Sequence, residues 1–385
     1  MRQHATSGEE RAIAAEENEQ HALARAVAVD ILVHGPQPRA RLARRLEVSP
    51  ATLTRVTRGL VEAGVLVEGG AVRGPGRGRS SLPLDVVDDA RHFVGVKLVR
   101  ESIYGVLVDL RAQVVDTEII AEPSLAVDEV VVAVTDVVER LRGRSRRPVA
   151  AVGVTVGGRV DGGETVTDSP FMEWHDVPFR TLLADRVGEP LYLANDVVGL
   201  TMAQQWFGYG RTYADFALLT VGAGVGYGLV IDHRVVPTHV SPVSHLPVDP
   251  YGPLCRLGHR GCMSAYVTSA AMCSSAARAL GREVSYAELL ALAEDGDAVA
   301  VRVVSEAARA LGLATATVTS LTGVERIILS GEGVRLAEVA PDALREGRLA
   351  YAAGPLSAID PVVMPMDFVE WARGAAAVAI QHEFP

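Results

Sequence analysis

Apolar positions recur at two different periods along this chain, and the change of period divides it. Ala24, Val27, Ala28 and Ile31 mark one face of a supporting helix, and Leu42, Ala43 and Leu46 mark a short second helix. Leu53, Val56, Thr57 and Leu60 then recur at i, i+3, i+4 and i+7, which predicts a third helix over about residues 50–63. Ser49 suits its N-cap, because the hydroxyl can accept an orphan backbone N–H. Pro50 suits the first helical position, where no N–H is needed. Thr52, Arg55 and Arg58 project from the opposite face, and Val65-Leu66-Val67 opens an extended segment. Beyond Asp85 the pattern changes: residues 92–99, 104–110 and 113–120 read as consecutive strands, 127–142 as a helix and 149–156 as a buried strand. A hairpin meander leading into α/β units follows.

Charge sharpens the first segment. Residues 39–81 hold nine Arg against Glu47, Glu62 and Glu68, a net of +6 in a chain of net −10, so the rest sums to −16. A short helix, a tight turn, a second helix and the ribbon Arg73-Gly-Pro-Gly-Arg77-Gly-Arg79 read, in that order, as a winged helix-turn-helix with a basic face for double-stranded DNA. In such motifs the start of the second helix meets base edges, and Arg is the commonest reader of guanine. Arg55, Thr52 and Thr54 are therefore the base-contact candidates, with Arg58 on phosphate; Arg39, Arg41 and Ser49 complete the DNA-binding set. Arg77 and Arg79, flanked by glycine, suit a narrow minor groove. The same ribbon also reads as an interdomain linker, and the two readings are compatible.

At 385 residues and 49% apolar content, the chain has room for a DNA reader of about 65 residues and a larger two-lobed body. No run of 18 apolar residues occurs and residues 1–20 are polar, so neither a membrane span nor a secretory signal is expected, and the reading is cytoplasmic. Cys255, Cys262 and Cys273 are too few and odd in number for a disulfide framework. Lys97 is the single lysine beside 36 arginines.

Three later segments carry a family resemblance. Leu193-Ala-Asn195-Asp196-Val-Val-Gly, Leu218-Leu-Thr-Val-Gly222-Ala-Gly224-Val-Gly226-Tyr-Gly228, and His245 followed by Cys255-Arg-Leu-Gly258-His-Arg-Gly261-Cys262 resemble, in order, the signatures of the repressor, ORF, kinase (ROK) family. The resemblance covers about residues 20–380. It implies an α/β fold class, a winged helix-turn-helix followed by a two-lobed actin-like (sugar-kinase) domain, in the regulator branch of the family. The boundaries expected are a polar tail at 1–20, the reader at 21–85 and the body at 86–385. Its lobes span about 86–200 with a C-terminal helix at 371–382, and about 201–370. A homodimer, or a tetramer built from it, is expected to bind an inverted-repeat operator of carbohydrate-related genes as a repressor.

Asp196 corresponds to the family's general base, and Asn195, Asp196, His245, Gly157 and Gly158 are the expected contacts for a carbohydrate-derived effector. Read without the family, Asn195-Asp196 equally suits a helix N-cap, and the Gly222–Gly228 alternation suits either close phosphate approach or a tight hairpin. Ile327-Ile-Leu-Ser330-Gly331-Glu-Gly333 resembles the later nucleotide-side strand and turn. Family kinases open the domain with an Asp-x-Gly-x-Thr phosphate loop; here Lys97-Leu-Val-Arg100-Glu101 stands there, so neither ATP and magnesium nor catalysis is expected and Asp196 is a vestigial base. Three further sugar contacts of the family, two Glu and an Asn, are replaced here by Pro242, Ser264 and Phe171, which thins the expected sugar site. The family's structural zinc uses one His and three Cys. His245, Cys255 and Cys262 match, the middle thiolate is Leu257, and His259 is the substitute ligand if zinc is held. A sugar kinase with an appended reader, and a ligand-independent regulator with a vestigial cleft, are the alternatives.

Overall fold

The computed structural model describes residues 6–69, 82–121, 124–237, 242–350 and 360–384, with side chains from Glu19 onward. Helices Thr6–His34, Arg39–Arg45 and Pro50–Glu62 come first. The first begins at Thr6, inside the polar stretch 1–20, and runs on into the reader. Residues 9–17 are rich in Ala and Glu, whose helix propensity lets the supporting helix extend backwards. Ser49 caps the third helix from an extended backbone, its hydroxyl accepting from Thr52 N–H at 3.1 Å, with Pro50 in the first turn. Leu53, Val56, Thr57 and Leu60 are the buried face, and each apolar member contributes about 1.5–3 kcal/mol by leaving water. The turn between the second and third helices puts Glu47 at φ 54, an unusual conformation for a side-chain-bearing residue. Strand Leu66–Glu68 pairs antiparallel with Pro83–Val86, which also pairs with Gln37–Pro38.

The reader is not a separate bead. Val27, Ile31, Leu42, Leu53 and Leu84 share one apolar core with Phe93, Val106, Val108, Ala376, Ile380 and Phe384 of the body. Arg25 clamps this junction, donating to the carbonyls of Phe384 (2.6 Å) and Gln381 (2.8 Å). Arg111 does the same from the other side, donating to Leu32 O at 2.9 Å and pairing with Asp85 and Asp88.

The first sheet of the body runs Leu191–Asn195, Val149–Val156, His92–Val99, Ser102–Val108, Val114–Ala121, parallel across the first three strands and antiparallel across the rest. Against it lies helix Phe368–Glu383, so close that a Cβ on Gly95 would sit 2.1 Å from Ala372 O and one on Gly153 1.9 Å from Ala375 O. Two glycines in valine-rich strands thus admit an alanine-rich helix. The second sheet runs Arg234–Val235, Val225–Ile231, Phe216–Val221, Ile327–Gly331, Val362–Pro365. Its core is completed by helices that include Ser269–Leu280 and Ala298–Thr322. A small antiparallel sheet of Arg159–Asp161, Thr165–Ser169 and Trp174–Val177 follows the end of Val149–Val156. Among the described residues no helix is long and apolar enough to cross a membrane.

Candidate DNA interface and interlobe cleft

Pro50, Ala51, Thr54, Arg55 and Arg58 line one open depression on the exposed face of the third helix. Arg55 has no hydrogen-bond or ion-pair partner among the described residues, and Arg58 reaches only Glu62, at 3.7 Å with both side chains more than 70% exposed. Thr52 is half-buried with its hydroxyl against Ser49 Oγ at 2.8 Å, and Thr54 donates to Pro50 O at 2.7 Å. Ser49 is thereby committed to capping. Arg41 is exposed and unpaired among the described residues; so is Arg44, which the periodicity left unremarked.

Arg39 differs from expectation. It donates from Nε to Thr57 Oγ1 at 3.0 Å and from Nη2 to Glu68 at 2.7 Å, tying the second helix to the third and to the wing strand, so most of its guanidinium is engaged within the reader. The ribbon with Arg77 and Arg79 lies outside the described residues. Behind the reader, His34 sits among Asp30, Arg45 and His233; burial and then the Arg45 guanidinium hold its imidazole below the ordinary value, against the pull of Asp30.

In the body, register places Ala194, Thr155 and Lys97 side by side on three adjacent parallel strands. Lys97, 3% exposed, donates to Asp196 Oδ2 and lies 5.2 Å from the Trp371 ring centre. Asp196 Oδ1 accepts Val197 N–H at 2.9 Å. Asn195 is the N-cap of helix Asp196–Phe207: its carbonyl oxygen accepts from Val197 and Val198, and its amide donates to Gly158 O at 2.7 Å. The oxygen and one of the two amide N–H groups of the side chain that was expected to meet a ligand are thus engaged within the chain. Gly157 lies beside Asp196 and Phe171. Phe171 bridges the lobes: a Cβ on Gly157 would lie 3.0 Å from its ring, and one on Gly224 3.2 Å.

The glycine alternation has a packing cause that neither reading anticipated. A Cβ on Gly226 would lie 2.4 Å from Val197 Cγ2, and one on Gly228 1.9 Å from Thr201 Oγ1. These two glycines let strand Val225–Ile231 press on helix Asp196–Phe207, leaving only Gly222 and Gly224 at the turn.

His245, Cys255, His259 and Cys262 each bring one donor atom within 4.8 Å of all the others. Cys255 N–H donates to His259 O at 2.8 Å and Gly258 turns at φ 80, which brings the exposed His259 back beside Cys255. Leu257, where the family has a thiolate, is 67% exposed. Burial would raise the Cys255 thiol, but the N–H groups of Leu257 and His259 and the Cys262 thiol outweigh it and hold Cys255 below its ordinary value, while burial and Cys255 raise Cys262. Two sulfurs and two imidazole nitrogens at this spacing are a donor set that fits tetrahedral zinc.

Residues 93–382 match the family described as ROK family. The xylose repressor of Caldicellulosiruptor bescii is 22% identical over 330 residues, covering 80% of this chain and 82% of that protein. The crystal structure of a ROK family transcriptional regulator, homolog of the E. coli MLC protein, superposes with a TM-score of 0.80 at 22% identity, covering 95% of this chain and 96% of the other. A ROK family glucokinase from Streptomyces griseus, in complex with glucose and AMPPNP, superposes at TM-score 0.65 and 26% identity over 75% of this chain and 99% of its own. The chain has the α/β fold expected of it: N-terminal helices, then the two-lobed actin-like body.

Proposed function

The chain belongs to the ROK family, and from that premise we propose that it is a DNA-binding transcriptional regulator of carbohydrate-related genes, a repressor that binds an inverted-repeat operator as a homodimer. The observation that carries this reading is Arg55, exposed and unpaired among the described residues, on a capped recognition helix whose scaffold shares a core with the body. The name of the xylose repressor supports it. Two-fold symmetry puts the half-sites about one helical turn, or a multiple, apart. Genome-wide mapping of bound DNA tests this: peaks without a shared inverted repeat would overturn it.

On this reading no sugar phosphorylation is expected. The phosphate loop of family kinases is replaced by Lys97-Leu-Val-Arg100-Glu101, and the Lys97 ammonium is placed on Asp196 Oδ2 while Oδ1 accepts from Val197, which sets a competing partner on the expected base. A coupled ADP-release assay over a sugar panel is expected to give no turnover.

Phe171 and Asn195 favour a second reading for the cleft, in which regulation needs no sugar. The aromatic ring lies between the lobes and the amide is committed, so few partners remain for a hydroxyl-rich ligand; each missing hydrogen bond costs about 1–3 kcal/mol. Calorimetry with sugars at millimolar concentration separates the readings. If an effector does bind, the reader moves with the first lobe and closure shifts the second lobe against that body; the ligand must favour one arrangement to act. Zinc would be held by His245, Cys255, His259 and Cys262, bracing the 245–262 loop.

A further inference from the structure

The turn between strands Phe216–Val221 and Val225–Ile231 contains Gly222, Ala223 and Gly224. Gly222 N–H is satisfied inside the turn, at 3.0 Å from Gly224 O. Ala223 N–H instead donates at 2.8 Å to Oε1 of Glu332, a residue 109 positions away that follows strand Ile327–Gly331. The approach is close: a Cβ on Gly222 would sit 1.9 Å from that oxygen, so the carboxylate could not keep this place beside a larger residue. Gly331 at φ 99 turns the chain, and Gly333 N–H donates to Val221 O at 2.9 Å, so the two glycine turns lie on one another with the carboxylate set between them.

A backbone N–H at a glycine turn receives a phosphate oxygen or a carboxylate oxygen in the same way. We propose that Glu332 is a resident anion: its carboxylate occupies the phosphate position of the Gly222–Gly224 turn and closes the second lobe to nucleotides and other polyphosphates. A tethered carboxylate competes at high effective concentration, and its charge repels a second anion at the same amide. This closure is independent of the Lys97–Asp196 pair, which lies on the first lobe's strands, and independent of DNA reading.

The test titrates inorganic triphosphate into the full chain by calorimetry, for wild type, Glu332→Ala and Glu332→Gln, with amide hydrogen exchange read at Ala223. Wild type is expected to show no saturable binding at millimolar triphosphate and a protected Ala223 amide. Glu332→Ala should lose that protection and bind triphosphate at least about ten-fold more tightly than wild type. Glu332→Gln, which keeps an acceptor without the charge, should retain protection. Wild type binding triphosphate as tightly as Glu332→Ala would overturn the proposal, as would a folded Glu332→Ala with no gain. If Glu332→Ala does not fold, wild type and Glu332→Gln decide it: an unprotected Ala223 amide in wild type refutes the resident anion, and a protected one that triphosphate leaves unchanged supports it.

Discussion

The Lys97 ammonium donates to the Asp196 carboxylate across strand Val149–Val156, which lies between the strand of Lys97 and the strand Leu191–Asn195 that Asp196 follows, with the Trp371 ring 5.2 Å from the nitrogen. Each side chain is mostly buried, at 4% and 15% exposure, so each compensates a charge the other would leave in a poorly solvated place. A single lysine converts the family's base into half of an ion pair.

Breaking the pair from one side should therefore cost more than removing it. Lys97→Met is expected to lower unfolding free energy by about 3 kcal/mol, and Lys97→Met with Asp196→Asn to recover much of that loss. Urea unfolding in a double-mutant cycle measures it; additive losses would mean that the two charges are independently solvated.

On the reader, Arg55 and Arg39 should separate cleanly. Arg55→Ala should cost about 1–3 kcal/mol of operator discrimination. Arg58→Ala should lower the salt slope by about one, and Arg77→Ala with Arg79→Ala by up to about two. Arg39→Ala should instead lower stability by about 1–2 kcal/mol and leave the salt slope unchanged, because its hydrogen bonds are to Thr57 and Glu68. Fluorescence anisotropy across salt, beside thermal unfolding, reads both; a reduced slope for Arg39→Ala would return that residue to the DNA face.

Zinc predicts a stoichiometry and a ligand dependence. Protein purified without chelator should carry about one zinc per chain, His259→Ala should lose most of it, and Leu257→Ala should not. Elemental analysis below about 0.2 zinc per chain in wild type would sink the metal reading.

His34 predicts a pH effect with a defined sign. Its folded pKa is lowered from 6.5, so protonation is harder in the folded chain; the stability it contributes is present above the unfolded value and is lost as pH falls below it. His34→Gln should flatten the unfolding free energy over that acidic range, and an unchanged pH profile would show that the burial beside Arg45 has no energetic consequence.

Helix faces, the Ser49 cap, the basic segment and the order of strands were legible in the sequence because each depends on residues a few positions apart: an apolar period, a cap hydroxyl and a run of like charge are local quantities. The Lys97 departure was equally plain, and with it the loss of the phosphate loop. What the tertiary structure decided is how each polar group is used. Arg39 was diverted into a brace, Asn195 used on Gly158 and two backbone amides, and His259, not Leu257, was set beside His245, Cys255 and Cys262. Gly226 and Gly228 proved to be seats for Val197 and Thr201, and Ala223 found Glu332 109 residues away. Whether a donor or acceptor is free depends on which distant segment packs beside it, and only the completed packing of the two lobes and the reader sets that.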